Sequence, residues 1–424
     1  MNRELYGSQP NRQKIQGPNF DRIWGAIQPK QRLESMEQAH MTQEKQPDTP
    51  ADQRGLAGQV IGDTSVCAVN QTQLMYRGYE IADLAANATF EEVAFLLLIG
   101  HKPSQEELSS FKSELVQMRS VPEGVKNAIM QIAKESPDAH PMGVLRSAVS
   151  LLSHHCPVCE ENSDEADLLK SKHLLAKIPT CIGIHQMTLD GKEPVDPNPD
   201  LDHAANLLWC MTGEVPHESS EKVMDVSLVL YAEHDFNAST FSCRVITSTN
   251  SDLHSAVCGG IGALKGNLHG GANEAAMSML QEIMIEIEKG STAEEFMQHA
   301  FETKKKLMGF GHRVYKNGDH RAGILREWGL KYCAEVNPEA KKWFDLGDEV
   351  QAIMLRDKNI HPNVDFPCGM AYFSMGVPVP QYTPIFVVSR IAGWCAHIME
   401  QHQNNRIIRP LARYTGEAHR SWSD

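Results

Sequence analysis

Residues 383–401 read TPIFVVSRIAGWCAHIMEQ. Thr383 and Pro384 have the character of an N-cap and a first helical residue, opening a long apolar helix. Arg390 lies inside that apolar text, where the plain local reading is a buried salt-bridge partner.

The same helical character extends outward along the chain. Thr89 with Glu92 forms a capping-box pattern before VAFLLLI, and Gly100 stops that helix. Ser104 with Glu107 repeats the signal, followed by Leu108, Phe111, Leu115 and Met118 at helical spacing. Val125, Ile129 and Ile132 continue it, and Ala276, Met279, Leu280, Ile283 and Ile287 line one face of another helix. Residues 203–216 and 221–234 read as two more. Only LAGQVIGDTSVCAVNQTQLMYRGYEI alternates with β-branched residues, predicting short strands or a hairpin near the N-terminal side. There is no βαβ alternation and no repeat of 20–50 residues. The fold class is therefore mainly α.

A chain of 424 residues exceeds one ordinary core, so two domains, or one large domain with a subdomain, are expected. Residues 1–54 are polar and read as an N-terminal extension in which only FDRIW has the character of a docking patch. With 54 acidic against 40 basic residues, the net charge of −14 argues against a nucleic-acid binder. It leaves room for anionic small molecules, because a local arginine cluster overrides net charge. No apolar run reaches the roughly 18–20 residues needed to cross a bilayer, and the first residues lack a signal-peptide core. Ten scattered cysteines predict free thiols in a reducing, cytoplasmic setting. The HHCPVC stretch, His154 to Cys159, has zinc-ligand types but no second Cys-x-x-Cys; it reads as a surface loop with incidental thiols, and no metal is expected.

Unusual residue types gather in four places. LYAEHDFNASTF carries His234, GNLHGGANE carries His269, GFGHRVYKNGDHR carries His312, Lys316 and Arg321, and HPNVDFP carries Asp365. Arg390 and Arg409 follow. Singly, each has a plain reading as a core histidine, a turn aspartate or a paired arginine. Together, histidines framed by glycine suggest close approach of a ligand, and several arginines suggest a substrate with more than one carboxylate. GGIGALKGN lacks the GK[ST] ending of a P-loop, and GFGHRVYK lacks a third glycine in register, so nucleotide motifs do not account for the glycines.

EHDFNASTFSCRV, IGALKGNLHGGANE, MGFGHRVYK, HPNVDF, TPIFVVSRIAGWCAHIMEQ and NNRIIRPLARYTG resemble the citrate synthase family, in the family's order, from about residue 55 to about 418. The resemblance implies a two-domain helical fold: a large domain from 55–275 and 379–424, and a smaller inserted domain from 276–378. It implies homodimers or higher homo-oligomers. It implies that Asp365 is the base that deprotonates acetyl-CoA, that His269 hydrogen-bonds the thioester oxygen, and that His312 polarises the oxaloacetate carbonyl. It assigns His234, Arg321 and Arg390 to oxaloacetate, Arg409 to the neighbouring subunit's site, and Gly309, Gly311 and Lys316 to coenzyme A. No cofactor is implied, since acetyl-CoA is a substrate.

The residue types suit that chemistry. A thioester α-proton is weakly acidic, so its removal requires stabilisation of the developing oxyanion. His269 supplies that bond if a backbone group holds its other nitrogen, and its glycines would leave room for the acyl group. Asn267, His320 and Pro367 depart from commoner family residues without removing a reactive side chain.

The nearest alternative is 2-methylcitrate synthase, which runs the same chemistry on propionyl-CoA. Arg313, after His312, favours citrate synthase, since proline is frequent there in methylcitrate synthases. A methylene is worth only about 1–3 kcal/mol in an apolar pocket. A catalytically silent scaffold would be expected to lack Asp365, His269 or His312; all are present. A citrate-cleaving lyase would need a ligase segment that is missing.

Overall fold

The computed structural model describes residues 56, 58–411 and 416–417. FDRIW and the rest of the polar extension up to residue 54 lie outside the described residues. The described residues from Thr64 onward pack as one compact unit.

Sixteen α-helices and one small sheet make up the described structure. The predicted hairpin is a three-stranded antiparallel sheet, Cys67–Val69, Leu74–Tyr76 and Tyr79–Glu80, with Cys67 opposite Tyr76 and Met75 opposite Glu80. Both capping boxes form: Thr89 opens the Phe90–Ile99 helix and Ser104 opens Gln105–Met118. Gly100 ends the former at φ 99°, a left-handed conformation glycine adopts without a Cβ clash. The helix expected over 203–216 is shorter, His203–Thr212, stopped by left-handed Gly213, and the one expected over 221–234 keeps its length but lies three residues earlier, at Glu218–Tyr231.

The helix Tyr382–Gln403 runs through the core and is buried almost all round. It begins before Thr383, contrary to the expected cap. A 3-10 turn at Val379–Gln381 feeds it, and Thr383 instead binds the Glu274 carboxylate through both its hydroxyl and its backbone N–H. Its neighbours include Asp164–Leu189, Glu218–Tyr231 and Ala238–Thr247. Gly393 permits one of these contacts: a Cβ there would lie 2.4 Å from Ala232 O and 2.1 Å from Glu233 Oε2. This brings the end of the Glu218–Tyr231 helix against the middle of the core helix.

That helix end is the hub of the molecule. Its last carbonyls have no intrahelical partners, and side chains from distant elements satisfy them. Tyr76 of the sheet donates to Glu233 O at 2.9 Å, Arg321 reaches Leu230 O at 3.4 Å, and Arg390 donates through Nε to Tyr231 O at 2.7 Å. All ten cysteines are free, and no described helix is long and apolar enough to cross a membrane.

Candidate active site

Six of the predicted site residues gather around this hub or are linked to it. His312 follows Gly309 and Gly311, which adopt φ 83° and 75°. A Cβ on Gly309 would also meet Phe366 at 2.9 Å. These glycines let the strand-like segment lie against 361–363. Gly311 N–H donates to His361 O at 2.8 Å, and Asn363 N–H donates to Gly309 O at 3.0 Å. The turn carrying His312 is thereby tied to the loop that leads into Asp365.

His312 Nδ1 accepts from the backbone N–H groups of Val314 and Tyr315, both at 3.1 Å. An atom accepting two N–H bonds bears no proton, so the neutral ring carries its proton on Nε2. Burial, followed by the charge of Arg321, lowers its pKa to about 4. His312 stacks on Tyr315, with centroids 4.5 Å apart. His234, pushed well below its usual pKa by burial and then by Arg321, contacts Tyr315 Oη through Nε2 at 3.0 Å.

His269 is framed in the opposite sense. Asn237 caps the Ala238–Thr247 helix, and the first-turn N–H of Ser239 donates to His269 Nε2 at 3.2 Å. The Ser239 hydroxyl lies 2.8 Å from the same nitrogen. The neutral ring therefore carries its proton on Nδ1, which has no hydrogen-bond partner among the described residues. Burial, then Arg390, lowers its pKa to about 4. The backbone group required on its other nitrogen is thus an amide. The glycines have a more local cause than expected. A Cβ on Gly270 would lie 2.3 Å from Leu264 O, so the chain's own packing demands that glycine.

Asp365 is the first residue of the Asp365–Ser374 helix. Pro367 occupies the first turn of that helix, where no N–H is needed, so the helix is undisturbed. Tyr231 donates to Asp365 Oδ1 at 2.7 Å. Burial raises the carboxyl to about 6, with Tyr231 and Arg321 acting against it. Its Oδ2 has no protein donor among the described residues.

The two arginines differ. Asp319 grips Arg321 through Nε at 2.9 Å and Nη2 at 2.8 Å. Burial opposes ionisation of Asp319, but Arg321 outweighs it and holds the carboxyl at about 2. Arg390 is only 2% exposed, and among the described residues its sole hydrogen bond is the one from Nε. No carboxylate pairs with it, so the plain salt-bridge reading fails. A buried guanidinium without an anion is costly, which marks a place for an anionic ligand. Burial lowers its pKa, and the charge of Glu233, too far for an ion pair, only partly opposes this.

The remaining predicted residues lie farther out. Lys316 is exposed and its Nζ donates to His312 O at 3.0 Å, closing the glycine turn. Arg409 is exposed beyond the core helix and makes no hydrogen bond or ion pair among the described residues. Sequence reasoning missed Tyr231, Asp319, Tyr315 and Ser239. All act through contacts that no local pattern announces. It also missed the buried pair in which His397 Nε2 lies 2.9 Å from Glu233 Oε1 beside Gly393.

A family model described as citrate synthase, C-terminal domain, matches residues 55–411. The chain belongs to the citrate synthase family. The family places it among acyltransferases and accounts for the mainly helical fold. Citrate synthase of Mycolicibacterium smegmatis is 41% identical over 383 residues, covering 90% of this chain and all of that one. A 2-methylcitrate synthase of Mycobacterium tuberculosis is 42% identical over 375 residues, covering 88% and 93%. Among solved structures, citrate synthase from Thermoplasma acidophilum, in ternary complex with carboxymethyl coenzyme A and oxaloacetate, superposes with a TM-score of 0.80 at 31% identity, covering 87% and 97%. Citrate synthase from Pyrobaculum aerophilum gives 0.78 at 36%, covering 87% and 93%.

Proposed function

We propose that this chain condenses acetyl-CoA with oxaloacetate and hydrolyses the resulting citryl-CoA to citrate and CoA. The observation that carries the reading is the trio of free reactive atoms: Asp365 Oδ2, His269 Nδ1–H and His312 Nε2–H, beside the unpaired guanidinium of Arg390. Asp365 takes a proton from the thioester methyl group while His269 donates to the thioester oxygen. Neither step is favourable alone, and their coupling lowers the barrier. The enol carbon attacks the oxaloacetate carbonyl, whose oxygen is polarised by His312 and receives a proton as the carbon–carbon bond forms. Water then cleaves the thioester, releasing CoA.

Arg390, Arg321 and His234 hold oxaloacetate, and Arg409 reaches into the site of a second copy in a homodimer. Gly309, Gly311 and Lys316 border the coenzyme A path. Residues 276–378 act as the small domain that closes on 55–275 and 379–424, excluding water during condensation. No cofactor beyond the two substrates takes part, and the setting is cytoplasmic.

A second reading, propionyl-CoA as acyl donor, rests on the nearly equal identity to relatives named for either activity. The deciding experiment is CoA-thiol release with oxaloacetate and either acetyl-CoA or propionyl-CoA. A higher kcat/KM for acetyl-CoA supports the proposal. Preference for propionyl-CoA selects the second reading and removes the weight placed on Arg313. No release with either would mean a silent scaffold.

A further inference from the structure

The HHCPVC segment takes no part in the chemistry above. It forms a run of turns between the helices Pro141–Ser153 and Asp164–Leu189. His154 and His155 are exposed, but Cys159 turns inward. Wholly buried Lys170 fixes this stretch by donating to the carbonyls of Cys159 and Glu161, while its charge is balanced by Asp167 at 2.9 Å. Asn162 ties the same stretch to Asn250 O at 3.2 Å, just before the helix Leu253–Leu264.

At the start of that helix, Cys159 meets Asp252 and His254. Cys159 Sγ lies 3.8 Å from Asp252 Oδ1 and 3.9 Å from His254 Nδ1, and the latter two atoms are 3.9 Å apart. The 3.9 Å nitrogen–oxygen separation is too long for a hydrogen bond, and the sulfur contacts are at the long limit. The three atoms face a shared point, linked to one another only by the two long, weak contacts of the sulfur. A tetrahedral metal seated above a triangle with these sides lies about 2.4 Å from each corner (side divided by 1.63), within a few tenths of an ångström of the zinc–ligand distances of roughly 2.0–2.3 Å. His254 is 2% exposed, so its Nδ1 is fixed by packing.

We propose that Cys159, Asp252 and His254 form a zinc site with three protein ligands and a fourth position for water. A thiolate disfavours magnesium and calcium, and the mixed sulfur, nitrogen and oxygen set suits zinc. Two anionic ligands balance the dication. This departs from the expectation of a loop with incidental thiols and no metal: of HHCPVC only Cys159 contributes, and the partners come from 93 and 95 residues downstream. The helix they open has 12 residues, about 18 Å, between this site and the turn leading to His269. Zinc here pins the 154–162 segment to the helix and takes no part in condensation.

The test uses untagged full-length protein, stripped with a chelator and equilibrated with zinc or, as an optical probe, cobalt(II). About one zinc per chain is expected, with a near-ultraviolet thiolate-to-cobalt band. Cys159→Ser and His254→Ala should each weaken zinc binding at least tenfold and abolish or shift that band, while Cys156→Ser keeps both. Circular dichroism checks folding, and Asp252→Asn, which keeps a helix cap, provides a further ligand deletion. Zinc uptake well below one per chain in wild type, or uptake unchanged in folded ligand variants, would overturn the proposal.

Discussion

His269 and His312 are both neutral imidazoles held by backbone amides, but the amides grip opposite nitrogens. His312 is gripped on Nδ1 by residues two and three places along its own turn. His269 is gripped on Nε2 by Ser239, 30 residues away at the start of another helix. One frame is local and the other is made by tertiary packing. Each leaves a single N–H to donate, so the two rings can serve two different oxygens without either being charged. The pair also shows why a histidine's role cannot be taken from its flanking residues alone.

The largest effect tests what both rings depend on. Asp365→Asn removes the base and should lower kcat by about a thousandfold or more while leaving oxaloacetate affinity nearly intact. Asparagine also mimics the protonated carboxyl. A carboxyl raised to about 6 favours the fold when protonated and loses that contribution as pH rises from its unfolded value through about 6. The variant should therefore be more stable than wild type at neutral pH, read as a higher Tm.

Next come substitutions that break the comparison between the rings. Replacing either histidine with alanine should cost on the order of 100- to 1000-fold in kcat. Asparagine places an amide near Nδ1 and glutamine near Nε2. His269→Asn should consequently outperform His269→Gln, and His312→Gln should outperform His312→Asn. The reverse order in steady-state kinetics would contradict the assigned frames.

A smaller effect concerns pH. kcat/KM for the acyl-CoA should fall as pH drops through about 6, because protonation removes the base form of Asp365. The Tyr231 hydrogen bond lowers this pKa, so Tyr231→Phe should move the acid limb to higher pH. An unmoved limb would separate Tyr231 from the base. The smallest effect should come from Asn237→Ala, which loosens the helix start that presents Ser239 to His269. Such caps are worth about 0.5–2 kcal/mol. A several-fold loss of kcat is expected, with the KM for oxaloacetate nearly unchanged.

Much of the helical fold was legible because its signals are local. Thr89, Ser104 and Gly100 sit where the capping patterns place them. The expected cap at Thr383 failed because Glu274, 109 residues earlier, captures that side chain. Gly393 carries no helix signal, and its need arises only when another helix end packs on it. Within the site, His269, His312 and Asp365 were visible through their unusual frames. Tyr231 was not, since its partner Asp365 is 134 residues away and its own text is ordinary apolar helix. Arg390 was visible, but only the structure separates it from a salt bridge, since among the described residues no carboxylate lies within ion-pair distance of it.

The most direct test is the nitrogen chemical shifts of the histidine rings in protein labelled with nitrogen-15 at histidine, with His269 and His312 assigned by single substitution. At neutral pH both rings should be uncharged, with the proton on Nδ1 of His269 and on Nε2 of His312. A shared tautomer, or a charged ring at either position, would contradict the account.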